Sequence, residues 1–321
     1  MNKMHLNASQ PEEIAQASTA FGVTAGADQS RISKKRTLNN SLRIFLKIFT
    51  MLLIYFGVMY TFLGILVWLG VIDRVSEDYG FLASMNIVVG ILLSATVMIV
   101  YRWKEGGRPL HFGWRLTSRD GAFLMAGLVA STLMAVLFTW GAGADKAVHA
   151  EFLWNKLQSS SFILLLLYGA LGWFVGALQE EVLDRGYYFR VLEGIGPAGV
   201  ILLSSFIFSL THIPTKGFDP VSLAIHFIGG VGYGYVYLKS GSLLVSTAVH
   251  AFHNLLLDVL FNNDYNISLV SFHQGLLETD KLIQQVILIS AVMAIAGFIY
   301  RGKGVMAPAD NLKALWSKKA A

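Results

Sequence analysis

The chain contains no cysteine and few charged residues. The absence of cysteine excludes disulfides, thiol nucleophiles and cysteine-ligated zinc. Only 14% of the 321 residues are charged, whereas 55% are hydrophobic. Few soluble domains are so apolar, and the hydrophobic residues occur in long runs, so the composition indicates a polytopic membrane protein.

The segment 1–43 lacks an apolar block near its start. A secretory signal peptide is therefore not expected there, and the polar sequence predicts a mobile cytoplasmic tail. In a soluble protein, the net charge of +5 would suggest a nucleic-acid partner. Here the basic residues lie in short segments between apolar runs, so they predict orientation in a lipid bilayer and no nucleic-acid partner.

Long apolar runs predict an all-α fold, a polytopic bundle of about eight transmembrane helices. The predicted spans are 44–72, 82–101, 120–141, 161–192, 197–213, 219–238, 242–261 and 281–300. Basic residues are concentrated at every second end of these spans, so the positive-inside rule puts both termini in the cytoplasm. Small-residue spacing predicts close helix packing at Gly169, Gly172, Gly176, Gly230 and Gly234.

Span four carries charged residues within the stretch "LGWFVGALQEEVLDRGYYFR". If Arg190 marks the cytoplasmic boundary, Glu180 lies about 15 Å inside it, where a carboxylate is costly unless it is paired or faces water. Glu181 and Arg185 are four residues apart and can pair, which leaves Glu180 free for other work. The alternative is that this cluster, with Asp184, caps the span at the membrane surface and only fixes its orientation.

Polar residues on two other spans favour a functional site. His212 lies near the end of span five, and His250 and Asn254 share one face of span seven. Ionisable groups inside a membrane are functional by default, so we expect these side chains to converge with the free carboxylate of span four. Convergence requires span five to tilt or to begin late. The remaining histidines of these helices are interpreted as packing residues: His226 and His253.

The motifs "EEVLDRG", "FSLTH" and "GYGYVYLKSGSLLVSTAVHAFHN" occur in this order on separate predicted spans. Together they resemble the CAAX-prenyl-endopeptidase and bacteriocin-processing family (CPBP, also called Abi). Its pattern is Glu-Glu-x-x-x-Arg, then Phe-x-x-x-His, then a Gly-rich helix leading to His-x-x-x-Asn. The resemblance covers residues from about 160 to 260. It implies four parts: a tail at 1–43, three spans at 44–160, a catalytic core at 161–262, and a last span with a cytoplasmic tail at 263–321.

The resemblance implies an intramembrane endopeptidase that hydrolyses membrane-embedded or membrane-associated peptides and proteins. Glu180, with Glu181 beside it, would be the catalytic carboxylate, and His212 would help it to hold and activate water. His250 and Asn254 would donate hydrogen bonds to the tetrahedral oxyanion, and losing one such donor commonly costs about 3 kcal/mol. Arg185 would support these residues indirectly, by holding Glu181 in place.

Metal dependence is left open by the residues. Glu180, His212 and His250 could bind zinc in the three-ligand manner of hydrolytic sites. The sequence lacks His-Glu-x-x-His, the strongest zinc-protease motif, so we favour a metal-free glutamate mechanism without a cofactor.

Two other classes of protein compete with the protease. One is a non-catalytic immunity or scaffold protein on the same fold. The other is a transporter or proton relay, which also uses buried Glu and His. A transporter is expected to show paired repeats and broken helices, and neither is evident in the sequence.

The expected location is the inner membrane of a bacterial cell.

Overall fold

A computed structural model describes residues 12–144, 150–261, 267–272 and 277–302 of the chain. It divides into two compact units, Met1–Thr50 and Met51–Ala321. All side chains discussed below belong to the second unit.

Helices account for most of the described residues. They are α1 (Glu12–Trp68), α2 (Arg74–Glu77), α3 (Tyr79–Lys104), α4 (Ser118–Ala144), α5 (Ser160–Glu181), α6 (Phe189–Val191), α7 (Gly196–Thr211), α8 (Ile213–Lys216), α9 (Pro220–Ser240), α10 (Leu243–Phe261) and α11 (Glu278–Ile299). A π-helix, Val182–Tyr188, joins α5 to α6, and 3-10 turns lie at Pro109–Phe112, Trp154–Gln158 and Glu193–Ile195. Helix α1 begins at Glu12, inside the segment predicted to be a tail.

Seven segments of the described chain are long and apolar enough to cross a membrane. They are Asn40–Trp68, Tyr79–Lys104, Ser118–Gly141, Ser160–Val191, Glu193–Lys216, Pro220–Ser240 and Glu278–Ile299. The predicted all-α membrane bundle is therefore confirmed. The remaining predicted span, 242–261, forms α10, whose apolar part, Leu243–Val259, is shorter than the roughly 20 residues that cross a bilayer. It packs against α4, α5 and α9, so protein surrounds much of it.

The glycines that the spacing singled out do lie where helices approach closely. A Cβ atom added to Gly172 of α5 would stand 2.9 Å from the Ala83 Cα of α3. One added to Gly230 of α9 would stand 2.9 Å from the Ser205 Cβ of α7. The other three also face neighbouring segments: Gly169, Gly176 and Gly234. These contacts bring α3, α5, α7 and α9 together around the charged part of span four.

A short loop fixes the position at which α10 begins. The backbone N–H of Leu243 donates to the Gly113 carbonyl at 2.7 Å, and the Tyr237 hydroxyl donates to the Phe112 carbonyl at 3.1 Å. Gly241 joins α9 to α10 in the left-handed region, with φ of 72°, where glycine is favoured. The "SGSL" turn is thereby held against the α3–α4 connection, directly before the helix that carries His250.

The opposite connections carry a two-stranded antiparallel sheet that the sequence analysis did not predict. Strand β1 (Ala150–Phe152) pairs with β2 (Val270–Phe272), with Glu151 opposite Ser271. The Lys156 ammonium also donates to the Ser268 carbonyl at 3.0 Å. These bonds tie the α4–α5 connection to the α10–α11 connection.

Candidate active site

The charged part of span four lies where its helix changes type. Glu180 and Glu181 end α5, and Arg185 lies within the π-helix. The π-helix, with hydrogen bonds from residue i to i+5, is rare and occurs mostly as single turns inside α-helices, often at functional sites. The wider turn begins directly after the two glutamates, so it changes the direction in which the following side chains point.

The predicted pairing of Glu181 with Arg185 is confirmed. The Arg185 Nη1 atom lies 3.2 Å from the Glu181 Oε1 atom, and both side chains are completely buried. The Arg185 Nη2 atom donates to the Gly230 carbonyl of α9 at 2.8 Å. A cluster that only capped the helix at the membrane surface would be exposed to solvent. The complete burial of this pair therefore argues against that alternative, because a buried charge has to be compensated inside the protein.

His250 of α10 lies between the two glutamates. Its Nδ1 atom is 3.0 Å from the Glu181 Oε1 atom, and its Nε2 atom is 3.5 Å from the Glu180 Oε2 atom. The Ser246 hydroxyl, one turn earlier on α10, donates to the Glu181 Oε2 atom at 2.5 Å. Both Glu181 oxygens are therefore engaged.

The two glutamates differ in accessibility. The Glu181 side chain has no exposed surface, whereas 28% of the Glu180 side chain is exposed. Glu180 therefore can meet water or a substrate, while Glu181 can act only through the residues that it holds.

His212 lies at the C-terminal end of α7. Its Nδ1 atom is 2.9 Å from the Phe208 carbonyl, which can only accept, so the ring donates there and leaves Nε2 as an acceptor. Within the described chain, no direct hydrogen bond or ion pair joins His212 to Glu180. A water held between them stays a prediction.

Asn254 lies one turn beyond His250 on α10, as the spacing predicted. Its side chain is half-buried. Since it hydrogen-bonds none of the described residues, its amide is available to a bound carbonyl oxygen.

Sequence reasoning did not single out Ser246, and it assigned His226 and His253 to packing. The ring of His226 of α9 stacks on that of His212, with centroids 3.7 Å apart. Ser246 precedes His250 by four residues, a spacing that could have indicated a shared helix face. His253 is buried, as expected of a packing residue, between Ser131 and Tyr233.

The three residues considered for zinc are not arranged as a ligand set. Among the residues that the structure describes, no three His, Cys, Asp or Glu side chains are grouped so that they could hold a metal ion. Nδ1 of His250 meets Glu181 and Nδ1 of His212 meets a carbonyl, so Nε2 is the ring atom of each histidine that could bind a ligand. A metal-free site therefore stays a prediction.

The fold and the site define an integral, multi-pass membrane protein with a buried network of glutamate, arginine and histidine among its helices. Residues 162–256 match the model of the family described as "Type II CAAX prenyl endopeptidase Rce1-like". This match confirms the resemblance predicted from the motifs, and it supports an intramembrane protease of the CAAX type in general. All seven residues that the motif pattern names lie within the matched segment. No curated protein and no solved structure matched the chain.

Proposed function

We propose that this protein is an intramembrane endopeptidase that hydrolyses peptide bonds of membrane-embedded or membrane-associated substrates. The observation that carries the proposal is the position of His250 between an accessible carboxylate, Glu180, and a sealed one, Glu181. The family match supports the same activity in its general form.

Glu180 is the general base of the proposed reaction. A general base has to lie within hydrogen-bond reach of the water it activates, and its partly exposed carboxylate can meet that requirement. His212 would orient the same water by accepting a hydrogen bond at Nε2, because Nδ1 is occupied by the Phe208 carbonyl. As the water oxygen attacks the peptide carbonyl, Glu180 takes one proton and later gives it to the leaving amine.

His250 and Asn254 stabilise the oxyanion that forms on the attacked carbonyl. His250 donates from Nε2, since Nδ1 is directed to Glu181. Nε2 donates when the ring carries a proton on each of its two nitrogens. Asn254 lies one turn along the same helix and donates from its amide.

Glu181 and Arg185 position these groups rather than touching the substrate. Arg185 holds Glu181, and Glu181 in turn holds the His250 ring by its Nδ1 atom. In this proposal, Glu181 contributes to catalysis by holding His250 in place.

The proposed mechanism needs neither metal nor cofactor. The location proposed for the protein is the inner membrane of a bacterial cell, with both termini in the cytoplasm, since basic residues favour that orientation. The substrate is proposed by class only, as a peptide that reaches the site from the bilayer.

The proposal is tested with purified protein in liposomes and two internally quenched probes. One ends in a farnesylated CAAX sequence, and the other is a single transmembrane peptide. We expect cleavage of at least one probe, and a loss of about 100-fold or more for Glu180→Gln and Glu180→Ala, the size of a general-base contribution. Glu278→Gln is the matched control, because Glu278 is exposed and, in the part of the chain that the structure describes, its ion pair is with Lys281.

Three outcomes distinguish the alternatives. Undiminished cleavage by well-folded Glu180 variants overturns the glutamate mechanism. Absence of cleavage of both probes by the unaltered protein supports the non-catalytic scaffold instead. A tight zinc chelator is expected to leave cleavage intact, and complete inhibition that zinc reverses would favour a metal held by Glu180, His212 and His250.

A further inference from the structure

Tyr233 of α9 lies flat against the His250 ring. The two ring centroids are 4.3 Å apart and the planes differ by 17°. Both side chains are almost completely buried, with 3% and 4% of their surface exposed. A face-to-face contact of this kind covers one whole side of the imidazole.

Hydrogen bonds fix Tyr233 at both ends. Its backbone carbonyl lies 3.1 Å from the Ser246 hydroxyl, whose single proton it shares with the nearer Glu181 carboxylate. Its phenolic oxygen lies 3.3 Å from the His253 Nδ1 atom, and the His253 Nε2 atom lies 3.1 Å from the Ser131 hydroxyl. The ring is therefore tied to α4 and α10 and cannot turn independently of them.

The stack restrains the one motion that the hydrogen bonds of His250 leave open. Contacts at Nδ1 and Nε2 fix the direction of the ring edge, but the ring can still tilt about the line that joins them. The face of a tyrosine ring packed against the imidazole resists that tilt. A displacement of about 1 Å in a catalytic group can cost about 100-fold in rate, so restraint of the tilt matters for catalysis.

We propose that Tyr233 is a positioning residue for His250, held in place by the His253–Ser131 hydrogen bond. This inference rests on the proposed function of His250 as an oxyanion donor. It assigns a role to a residue of the third motif that the family pattern itself leaves without one.

The chain offers a matched control for Tyr233. Tyr237 lies one turn later on α9, is equally buried, and donates its hydroxyl to the Phe112 carbonyl at 3.1 Å. Its ring meets Phe189 edge-on at 5.4 Å and lies outside the proposed catalytic group. Replacement of each tyrosine by Phe and by Leu therefore separates the loss of a ring face from the general cost of changing a buried tyrosine.

The first measurement is steady-state cleavage of the probe that the unaltered protein hydrolyses. For Tyr233→Leu we expect kcat to fall roughly 10- to 100-fold, with KM within about twofold, because substrate binding is kept. Tyr233→Phe keeps the ring face and is expected to restore most of kcat. Both Tyr237 variants are expected to keep kcat per folded molecule. Equal kcat for Tyr233→Leu and Tyr237→Leu would overturn the proposal.

The second measurement does not depend on cleavage. Thermal unfolding in detergent is recorded for Tyr233→Leu, His250→Asn and the double variant, and for the same cycle with Tyr237→Leu. We expect a non-additive change in Tm for the first cycle and an additive change for the second. An additive change in Tm in the first cycle would show that Tyr233 does not support His250. If Glu180→Gln cleaves normally, the proposed function fails, but this cycle still decides whether Tyr233 supports His250.

Discussion

At the scale of single residues, the site depends on a buried ion pair. Arg185 and Glu181 have no exposed surface, and neither can recover its hydration if the other is removed. Removing one partner of a buried pair typically costs 3–5 kcal/mol, on the order of the whole stability of many domains, because it leaves an uncompensated charge. We therefore expect Arg185→Met to lower the free energy of unfolding by about 3 kcal/mol or more.

The measurement is chemical unfolding in mixed micelles, with the double variant Glu181→Leu/Arg185→Met beside the single ones. We expect the double variant to lose less stability than the sum of the two single losses, since both partners of the pair are then removed together. The control is Asp78→Asn, in an ion pair with Arg74 whose side chains are 46% and 56% exposed. Exposed pairs are worth less than about 1 kcal/mol. Equal losses at both pairs would contradict the assignment of Glu181 and Arg185 to a sealed interior.

The residues that could be predicted from the sequence are those whose contacts are local. Glu181 and Arg185 are four positions apart, so their pairing follows from one helix turn. The contact of Glu181 with His250 joins residues on two helices, and helix spacing cannot determine which helices are neighbours. The stacking of His226 on His212 could not be predicted for the same reason, because the two residues lie on different helices.

At the scale of helices, Asp78 makes the start of α3 sensitive to acid. Its Oδ1 atom accepts the Phe81 N–H at 3.0 Å, and this bond, followed by the nearby Arg74, lowers the pKa of Asp78 below its usual value. A carboxyl whose pKa is lower in the folded state contributes stability above its unfolded pKa. That contribution is lost as the pH falls through the folded pKa.

We therefore expect Asp78→Ala to have a lower Tm than the unaltered protein at a pH of about 6. The difference in Tm is expected to shrink as the pH is lowered to about 3, because this range includes the ordinary aspartate pKa of roughly 4. Titration of other carboxylates affects both proteins and cancels in the difference. Thermal unfolding across this range is the measurement. A difference that stays constant would show that the carboxylate of Asp78 does not stabilise the start of α3.

The contact between α3 and α5 depends on glycine. A Cβ atom added to Gly90 would stand 2.5 Å from the Val175 carbonyl oxygen, closer than real contacts allow. The two helices would have to separate, and overpacking of this kind typically costs 1–3 kcal/mol. We expect Gly90→Ala to lower the Tm. Gly64→Ala and Gly121→Ala are the controls, because a Cβ atom there meets open space, and they are expected to leave the Tm unchanged or to raise it.

The elements that the sequence predicted are the long apolar ones, and those that it missed are short. Apolar length alone predicts spans such as Ser160–Val191. The π-helix Val182–Tyr188 depends on how its side chains meet other helices, so no periodicity in the sequence indicates it. The strands β1 and β2 have three residues each, too few for an alternating pattern to appear.

At the scale of the whole molecule, the distribution of charge predicts which ends of the helices face the cytoplasm. Arg102, Lys104 and Arg108 lie at the end of α3 and beyond it, whereas Asp73, Glu77 and Asp78 precede it. The positive-inside rule therefore predicts that the end of α3 and both termini of the chain lie on the cytoplasmic side.

The absence of cysteine makes this orientation directly measurable, because each introduced cysteine is the only thiol in the protein. Exposed positions exist at both ends of two spans: Glu77 and Arg108 for α3, and Glu278 and Arg301 for α11. We expect a membrane-impermeant maleimide to label Glu77→Cys and Glu278→Cys in intact cells, and to label Arg108→Cys and Arg301→Cys only after the membrane is opened. The reverse labelling pattern would show that the protein has the opposite orientation in the bilayer. Labelling of all four in intact cells would contradict a membrane-spanning α3 and α11, since the two ends of each helix could then not lie on opposite sides of a bilayer.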